Sequence, residues 1–388
     1  MRAIADPSRV LGLDVARGLA VLGMFGAHLG APDDLVLSDP ATWGAIVHGR
    51  SSILFAVLAG VSVALLSGGR SRYTDREDGD DARTRARVRI TVRALLIFLI
   101  GAGLTALGTN IIVILEYYSV MFLLAVPMLA LRARTLFALA GVWAVVSPVI
   151  VLLLSTVAGA YGIGEDNLLV ELFVTGGYPV IVWMSFLWFG MGIGRLDLSS
   201  AAVAVRLLIV GAALAAVGYG FGLATTDPNA ADLRFSFPGV PGAIAEPDWP
   251  VLLGMEAHSG TSFEVVGSAG VAALVIGVCL LVARRLRPVL FPVESIGATA
   301  LSTYAIHVVA YALLFPEEPT EWSWGWFALT ALVLCPLWRL LFGRGPIERV
   351  VTAVSTRAAF GPPRPRETVG VERGTHDDRP GATPPTDL

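Results

Sequence analysis

The residues best suited to chemistry lie in one apolar segment, residues 11–28, LGLDVARGLAVLGMFGAH. Ionisable side chains inside a membrane-length apolar run are costly and by default mark function. Asp14 and Arg17 are three residues apart, so on a helix they share a face and can pair. His28 follows Arg17 by eleven residues. At about 100° per residue that is about three full turns, which returns it to the same face roughly 16 Å further along. The spacing predicts a polar stripe running from an ion pair to a histidine, the side chain that exchanges a proton near neutral pH. The plain alternative is that Asp14 and Arg17 orient the helix, with Arg17 snorkelling to the interface, and that His28 is interfacial. The alignment of all three on one face weighs against it.

Other candidates stand near the ends of further apolar runs. His48 precedes the second run, and Arg50 follows it by two residues. Arg50 either stabilises a developing oxyanion or ends the helix at the headgroups. Glu116, with Tyr117 and Tyr118, lies near one end of the fourth run. It either orients a histidine or is interfacial beside belt tyrosines. His258, in HSGT, precedes the eighth run with Glu264 just inside it, and is either an acceptor-binding group or an exposed loop residue. His307 lies within the ninth run behind Ser302, Thr303 and Tyr304. Its alternatives are a place in a site or a helix–helix hydrogen bond.

The elements that must position these groups are membrane spans. Of 388 residues, 55% are hydrophobic and 15% charged, and the mean hydropathy is +0.71. A soluble domain is nearer a quarter charged. Apolar runs of membrane-crossing length fall at about 11–30, 51–67, 90–107, 114–131, 136–157, 178–194, 203–223, 263–282, 296–315 and 324–342. The predicted fold class is therefore all-α, a polytopic integral membrane bundle of about ten helices, occupying residues 11–350.

Loop charge sets the expected direction. All 28 basic residues are arginine. They crowd the segment from Arg70 to Arg89 and recur at Arg132, Arg134, Arg195, Arg284, Arg285, Arg287, Arg344 and Arg349. The alternate loops carry acids: Asp33, Asp34, Asp39; Glu165, Asp166, Glu171; Asp227, Asp232, Glu246, Asp248; Glu317, Glu318, Glu321. Arg234 is the main exception. The positive-inside rule then puts the arginine loops and both termini, including residues 1–10, in the cytoplasm. Residues 224–262 form the long outer loop, and 361–388, rich in Pro, Gly, Arg and Asp, form a disordered cytoplasmic tail. No cleavable signal peptide is expected, because the first run carries Asp14 and Arg17 and is long for an h-region. Cys279 and Cys335 sit in apolar runs, with no disulfide framework and no metal spacing. No P-loop, dinucleotide fingerprint or nucleic-acid-binding pattern is present. The Ala-, Gly- and Val-rich, lysine-free composition suggests a GC-rich bacterial genome; with the spans, the expected location is the bacterial cytoplasmic (inner) membrane, within the cell envelope.

The first segment, an Arg and a His separated by ten residues in a D-x-x-R-G-L-A context, resembles the signature of the transmembrane acyltransferase superfamily. Most similar are the bacterial relatives of heparan-α-glucosaminide N-acetyltransferase; acyltransferase family 3 is more distant. Residues 48–66, HGRSSILFAVLAGVSVALL, 301–309, LSTYAIHVV, and 345–349, GPIER, agree with it. The resemblance covers most of residues 9–350. In the animal enzyme an Asn stands at the place of His28, and the catalytic His lies in the loop before the second span. Here that loop offers His48.

The resemblance implies transfer of an acyl group, acetyl in the first instance, from cytoplasmic acyl-CoA (acetyl-CoA) to an extracytoplasmic glycan or lipid-linked acceptor, without a metal. In that scheme His28 is the favoured base and His48 the reserve. Arg17 holds the donor and Asp14 holds Arg17. Arg50, Glu116, His258 and His307 are acceptor-side candidates. The alternative is a non-enzymatic transporter or carrier whose polar stripe lines a pathway. A transporter should show paired broken helices and midplane binding groups, and the absence of a clear internal repeat weakens that reading further. The clustering of ionisable groups toward the span ends predicts two half-sites joined by a tunnel.

Overall fold

The computed structural model describes residues 9–32, 35–36, 38–71, 79–163, 167–225, 247–315, 319–320 and 322–361. The tail, most of the outer loop, residues 1–8, and Asp33, Asp34, Glu165, Asp166, Asp227, Asp232, Arg234, Glu246, Glu317, Glu318 and Glu321 lie outside them. Among the described residues all regular structure is helical, as the sequence predicts. In chain order the helices are α1 (Leu11–His28), α2 (Arg50–Leu66), α3 (Gly79–Thr105), α4 (Ile114–Ala125), α5 (Ala133–Ala160), the single turn α6 (Leu168–Val170) and α7 (Val180–Gly194). They continue with α8 (Ala201–Thr225), α9 (Ser262–Val282), α10 (Arg287–Ala298), α11 (Ala300–Leu314), α12 (Ser323–Phe342) and α13 (Pro346–Phe360).

The count of about ten spans is not reached on length and apolarity. Among the described residues six helical stretches are long and apolar enough to cross a membrane, and up to eight if each of two bent pairs is one span. The bent pairs are 168–175 with 180–194, at 55°, and 287–298 with 300–314, at 72°. The expected first and fourth spans are both helical. The first is diluted in apolarity by Asp14, Arg17 and His28, and the fourth, Ile114–Met128, is short.

Three boundaries differ from the sequence reading. The third helix starts at Gly79 rather than about residue 90, so Arg83, Arg85, Arg87 and Arg89 sit on helix rather than loop. Arginine and alanine favour helix almost equally, so the helix outruns the apolar stretch. Residues 287–298 form a helix of their own before the predicted ninth span. Residues 346–360 form α13, which starts with Pro346 at its first position behind Gly345, a favoured helix entry.

Helix α1 is the hub. It packs on α2, α9, α10, α11 and α12, and 12 of its 18 residues are buried. Its tightest partner is α10. A Cβ added at Gly297 would overlap the Asp14 carbonyl, and one at Gly18 would overlap the Val293 carbonyl, so both glycines let the two backbones touch. That contact delivers the Gly297 carbonyl to the polar stripe. The other main pairings are α8 with α9, α7 with α2 and α5, and α3 with α4 and α13.

Candidate active site

The polar stripe of α1 has two ends. At the arginine end, the Asp14 carboxylate accepts from Arg17 Nη1 at 2.8 Å and from Arg9 Nε at 2.9 Å, and its side chain is 6% exposed. Arg17 also donates to the Gly297 carbonyl at 3.4 Å and to Ser62 Oγ at 3.3 Å. Its guanidinium is therefore fixed by three elements: its own helix, α10 and α2. Both residues lie within the bundle, where a charge facing hydrocarbon would be costly.

Arg17 borders a cavity of about 340 Å³. That is near the lower end of small-ligand pockets, about 300–1,000 Å³. Arg9, Arg93 and Arg344 also line it. Arg93 lies within electrostatic range of Arg17, Arg89 and Arg344. The one acid among the described residues of the wall, Glu348, is already engaged: it accepts from the backbone N–H groups of Leu301 (2.8 Å) and Ser302 (3.1 Å), and from the Ser302 hydroxyl. A carboxylate from α13 thus caps the start of α11, satisfying donors that a helix leaves open at its N-terminus. The net character is a cationic pocket with an apolar far wall, where Phe55 stacks on Tyr118 with centroids 5.8 Å apart. The wall contains none of the histidines, so this cavity is not the continuous tunnel expected from the sequence.

At the opposite end of α1, His28 Nδ1 lies 3.0 Å from His307 Nε2, and His307 Nδ1 lies 2.6 Å from the Tyr304 carbonyl. His307, from α11, is buried, packed by Phe25 and Tyr304 with ring centroids 4.9 and 5.0 Å away. His48 Nε2 donates to the Pro32 carbonyl at 3.0 Å. His48 sits just before Gly49, whose φ of +68° turns the chain into α2. Both His48 and His258 lie near His28.

The remaining candidates are placed as follows. Arg50 donates to the His48 carbonyl (3.2 Å) and to Tyr219 Oη (3.1 Å), and its guanidinium lies 5.1 Å from the Tyr219 ring centre. His258 is exposed and has φ +66°, an uncommon backbone for a residue with a side chain. It is held there by Glu264, which accepts from the N–H groups of His258 and Gly260, both at 2.7 Å, and by ring contacts with Tyr178 and Trp183. Glu116 turns away toward α3, where it packs on Gly101 and accepts from Thr105. The structure therefore gathers His28, His48, His258 and His307 at one end, with Arg50 bonded to the His48 carbonyl. Glu116 makes no hydrogen bond to them.

Sequence reasoning missed Arg9, Arg93, Arg344, Glu348, Ser62, Glu294 and Arg339. Arg93 and Arg339 lie in predicted spans, and Glu294 lies two residues ahead of one, so the rule that flagged Asp14 and Arg17 could have flagged them as well. No sequence signal joins His28 to His307, which lie 279 residues apart.

No curated protein matches the chain. The family profile for heparan-alpha-glucosaminide N-acetyltransferase, catalytic, matches residues 9–219, more than half of the chain. That segment holds Asp14, Arg17, His28, His48, Arg50 and Glu116, while His258 and His307 lie beyond it. The chain belongs to the heparan-alpha-glucosaminide N-acetyltransferase catalytic family, a family of membrane acetyltransferases.

Proposed function

We propose that this protein transfers an acetyl group from acetyl-CoA, taken up from the cytoplasm, to a hydroxyl or amine of a glycan or lipid-linked acceptor outside the membrane. The observation that carries the proposal is the division of labour along α1: a cationic pocket at one end and a histidine cluster at the other. Arginines suit the phosphates of a CoA donor, because the guanidinium offers paired donors to phosphate oxygens. A pocket of about 340 Å³ suits the pantetheine arm rather than the whole donor, with arginines in its wall for the phosphates. The arginine-rich loops and both termini then face the cytoplasm of a bacterial inner membrane, and the histidines face outward.

The chemistry follows from the residues. His28 takes the proton from the acceptor as its oxygen or nitrogen attacks the thioester carbonyl. A new C–O or C–N bond forms, the C–S bond breaks, and the departing thiolate receives the proton. Arg17 fixes the donor, Asp14 fixes Arg17, and His258 and Arg50 lie where an acceptor would enter. Phe55 and Tyr118 give the pocket an apolar wall against which the acyl chain of the donor can lie.

The test is purified protein in lipid with labelled acetyl-CoA and cell-surface sugars. Labelled product together with saturable CoA binding is the expected result. Absence of both removes the enzyme reading and leaves a carrier of small or lipid-linked substrates as the better account.

A further inference from the structure

We infer that His307 is a positioning residue that holds His28 in the tautomer with its proton on Nδ1, so that His28 presents a bare Nε2 to the acceptor. The inference rests on the reading of His28 as the base, and it follows from a chain of hydrogen bonds with one fixed end. A carbonyl oxygen only accepts, so His307 Nδ1, 2.6 Å from the Tyr304 carbonyl, carries a hydrogen. His307 is 2% exposed and packs between Phe25 and Tyr304, and among the described residues no carboxylate pairs with either ring. An imidazolium is costly in such a place, so the ring is neutral and its Nε2 is a bare lone pair. His28 Nδ1, 3.0 Å from that lone pair, must be the donor. The two ring planes are only 6° from parallel, with centroids 5.3 Å apart. At so short a nitrogen–nitrogen distance, that is an edge-to-edge bond with hydrogen and lone pair in the ring planes, rather than a face-to-face stack.

The consequence is directional. The one nitrogen of His28 left to take a proton is Nε2. When it does so, the acceptor's O–H or N–H bond breaks and an N–H bond forms on Nε2. The positive charge then spreads over a ring whose other N–H is already donated to His307. The second imidazole thus does for His28 what an orienting partner does for any catalytic histidine: it fixes tautomer and ring angle. His48 is set the opposite way. Its Nε2–H is spent on the Pro32 carbonyl, so it would offer Nδ1.

The experiment is 15N nuclear magnetic resonance on histidine-labelled protein in lipid. The chain has five histidines, and the His28 signals are those lost in His28→Ala. The expected wild-type pattern is hydrogen on Nδ1 and none on Nε2. His307→Gln keeps a side-chain carbonyl that can accept from His28 and should preserve the pattern. His307→Phe fills the space without an acceptor and should shift hydrogen to Nε2. In parallel, His307→Phe should lower kcat by roughly tenfold or more with little change in the acceptor KM, and His307→Gln should restore most of it. Hydrogen on His28 Nε2 in wild type, or a pattern indifferent to His307→Phe, overturns the proposal whether or not the protein is an acetyltransferase. If the tautomer pattern holds but wild type transfers no acetyl group, the transferase reading falls and the His307 bond is supported independently.

Discussion

Arg339 donates from Nη2 to Glu294 Oε1 at 2.5 Å, tying the end of α12 to α10 with side chains only 4% and 1% exposed. Ser295 Oγ, at 3.5 Å, and the ring of Phe291, 5.2 Å away, complete the surroundings of the guanidinium. The pair locks the helix that carries Gly297, and hence the carbonyl that Arg17 binds.

Removing Arg339 leaves the buried Glu294 carboxylate with only the more distant, half-buried Arg287, 3.6 Å away, so the loss approaches without reaching the roughly 3–5 kcal/mol of a fully unpaired buried charge. Arg339→Leu should therefore lower the thermal midpoint of the protein in lipid sharply. Adding Glu294→Leu should recover much of the loss. A double variant as unstable as the single one would show that the pair itself is not what holds α10.

The contact between α1 and α10 gives a second expectation. Gly297→Ala puts a methyl group into the Asp14 carbonyl, so α10 must move and Arg17 must lose an anchor. Weaker CoA binding and a lower midpoint should follow together. Gly103→Ala, where an added Cβ meets nothing within 4 Å, is the matched control and should leave both unchanged.

Arg17→Lys keeps the charge but not the planar fork that reaches Asp14, Ser62 and Gly297 at once. The KM for acetyl-CoA should rise by about tenfold or more, roughly 1.4 kcal/mol, while the acceptor KM stays put. Isothermal titration with CoA in lipid reads the same loss directly. A donor KM indifferent to the substitution would remove Arg17 from the donor site.

His28→Ala should cost roughly 10² to 10⁴ in rate, the range for a general base. His48→Ala should cost much less, because its ring is already bonded to the Pro32 carbonyl. The reverse ranking would make His48 the base and leave the rest of the scheme standing.

How much of this could be read beforehand depends on the range of each interaction. The pairing of Asp14 with Arg17 is local, three residues apart, and helical geometry alone supplies it. The break at Thr299 could not be read, because it lies within apolar sequence and depends on α10 packing flat against α1. Nor could the Phe55–Tyr118 wall, which joins α2 to α4 and looks in sequence like ordinary span and belt aromatics. Glu348 was visible only as part of a short motif. Its purpose, capping α11, exists because residues 47 apart meet.

Orientation has its own test. A single cysteine at the exposed position Asp80, with Cys279 and Cys335 replaced, should react with a membrane-impermeant thiol reagent only after the cells are opened. One at Trp43, 55% exposed, should react in intact cells. Labelling of position 80 from outside would invert the molecule and, with it, the assignment of donor and acceptor sides.

The cap that Glu348 places on α11 also bears on how the protein is made. Synthesis runs from the N- to the C-terminal end, so the N–H groups that open α11 are made before the carboxylate that satisfies them. Arg344, Glu348 and Thr352, all wall residues of the arginine pocket, come from the last of the described helices and the turn before it. A nascent chain halted at residue 340 has Asp14, Arg17 and every one of the clustered histidines but no finished pocket. The arginine pocket is thus complete only once α13 has been made and has packed beside α3 and α11.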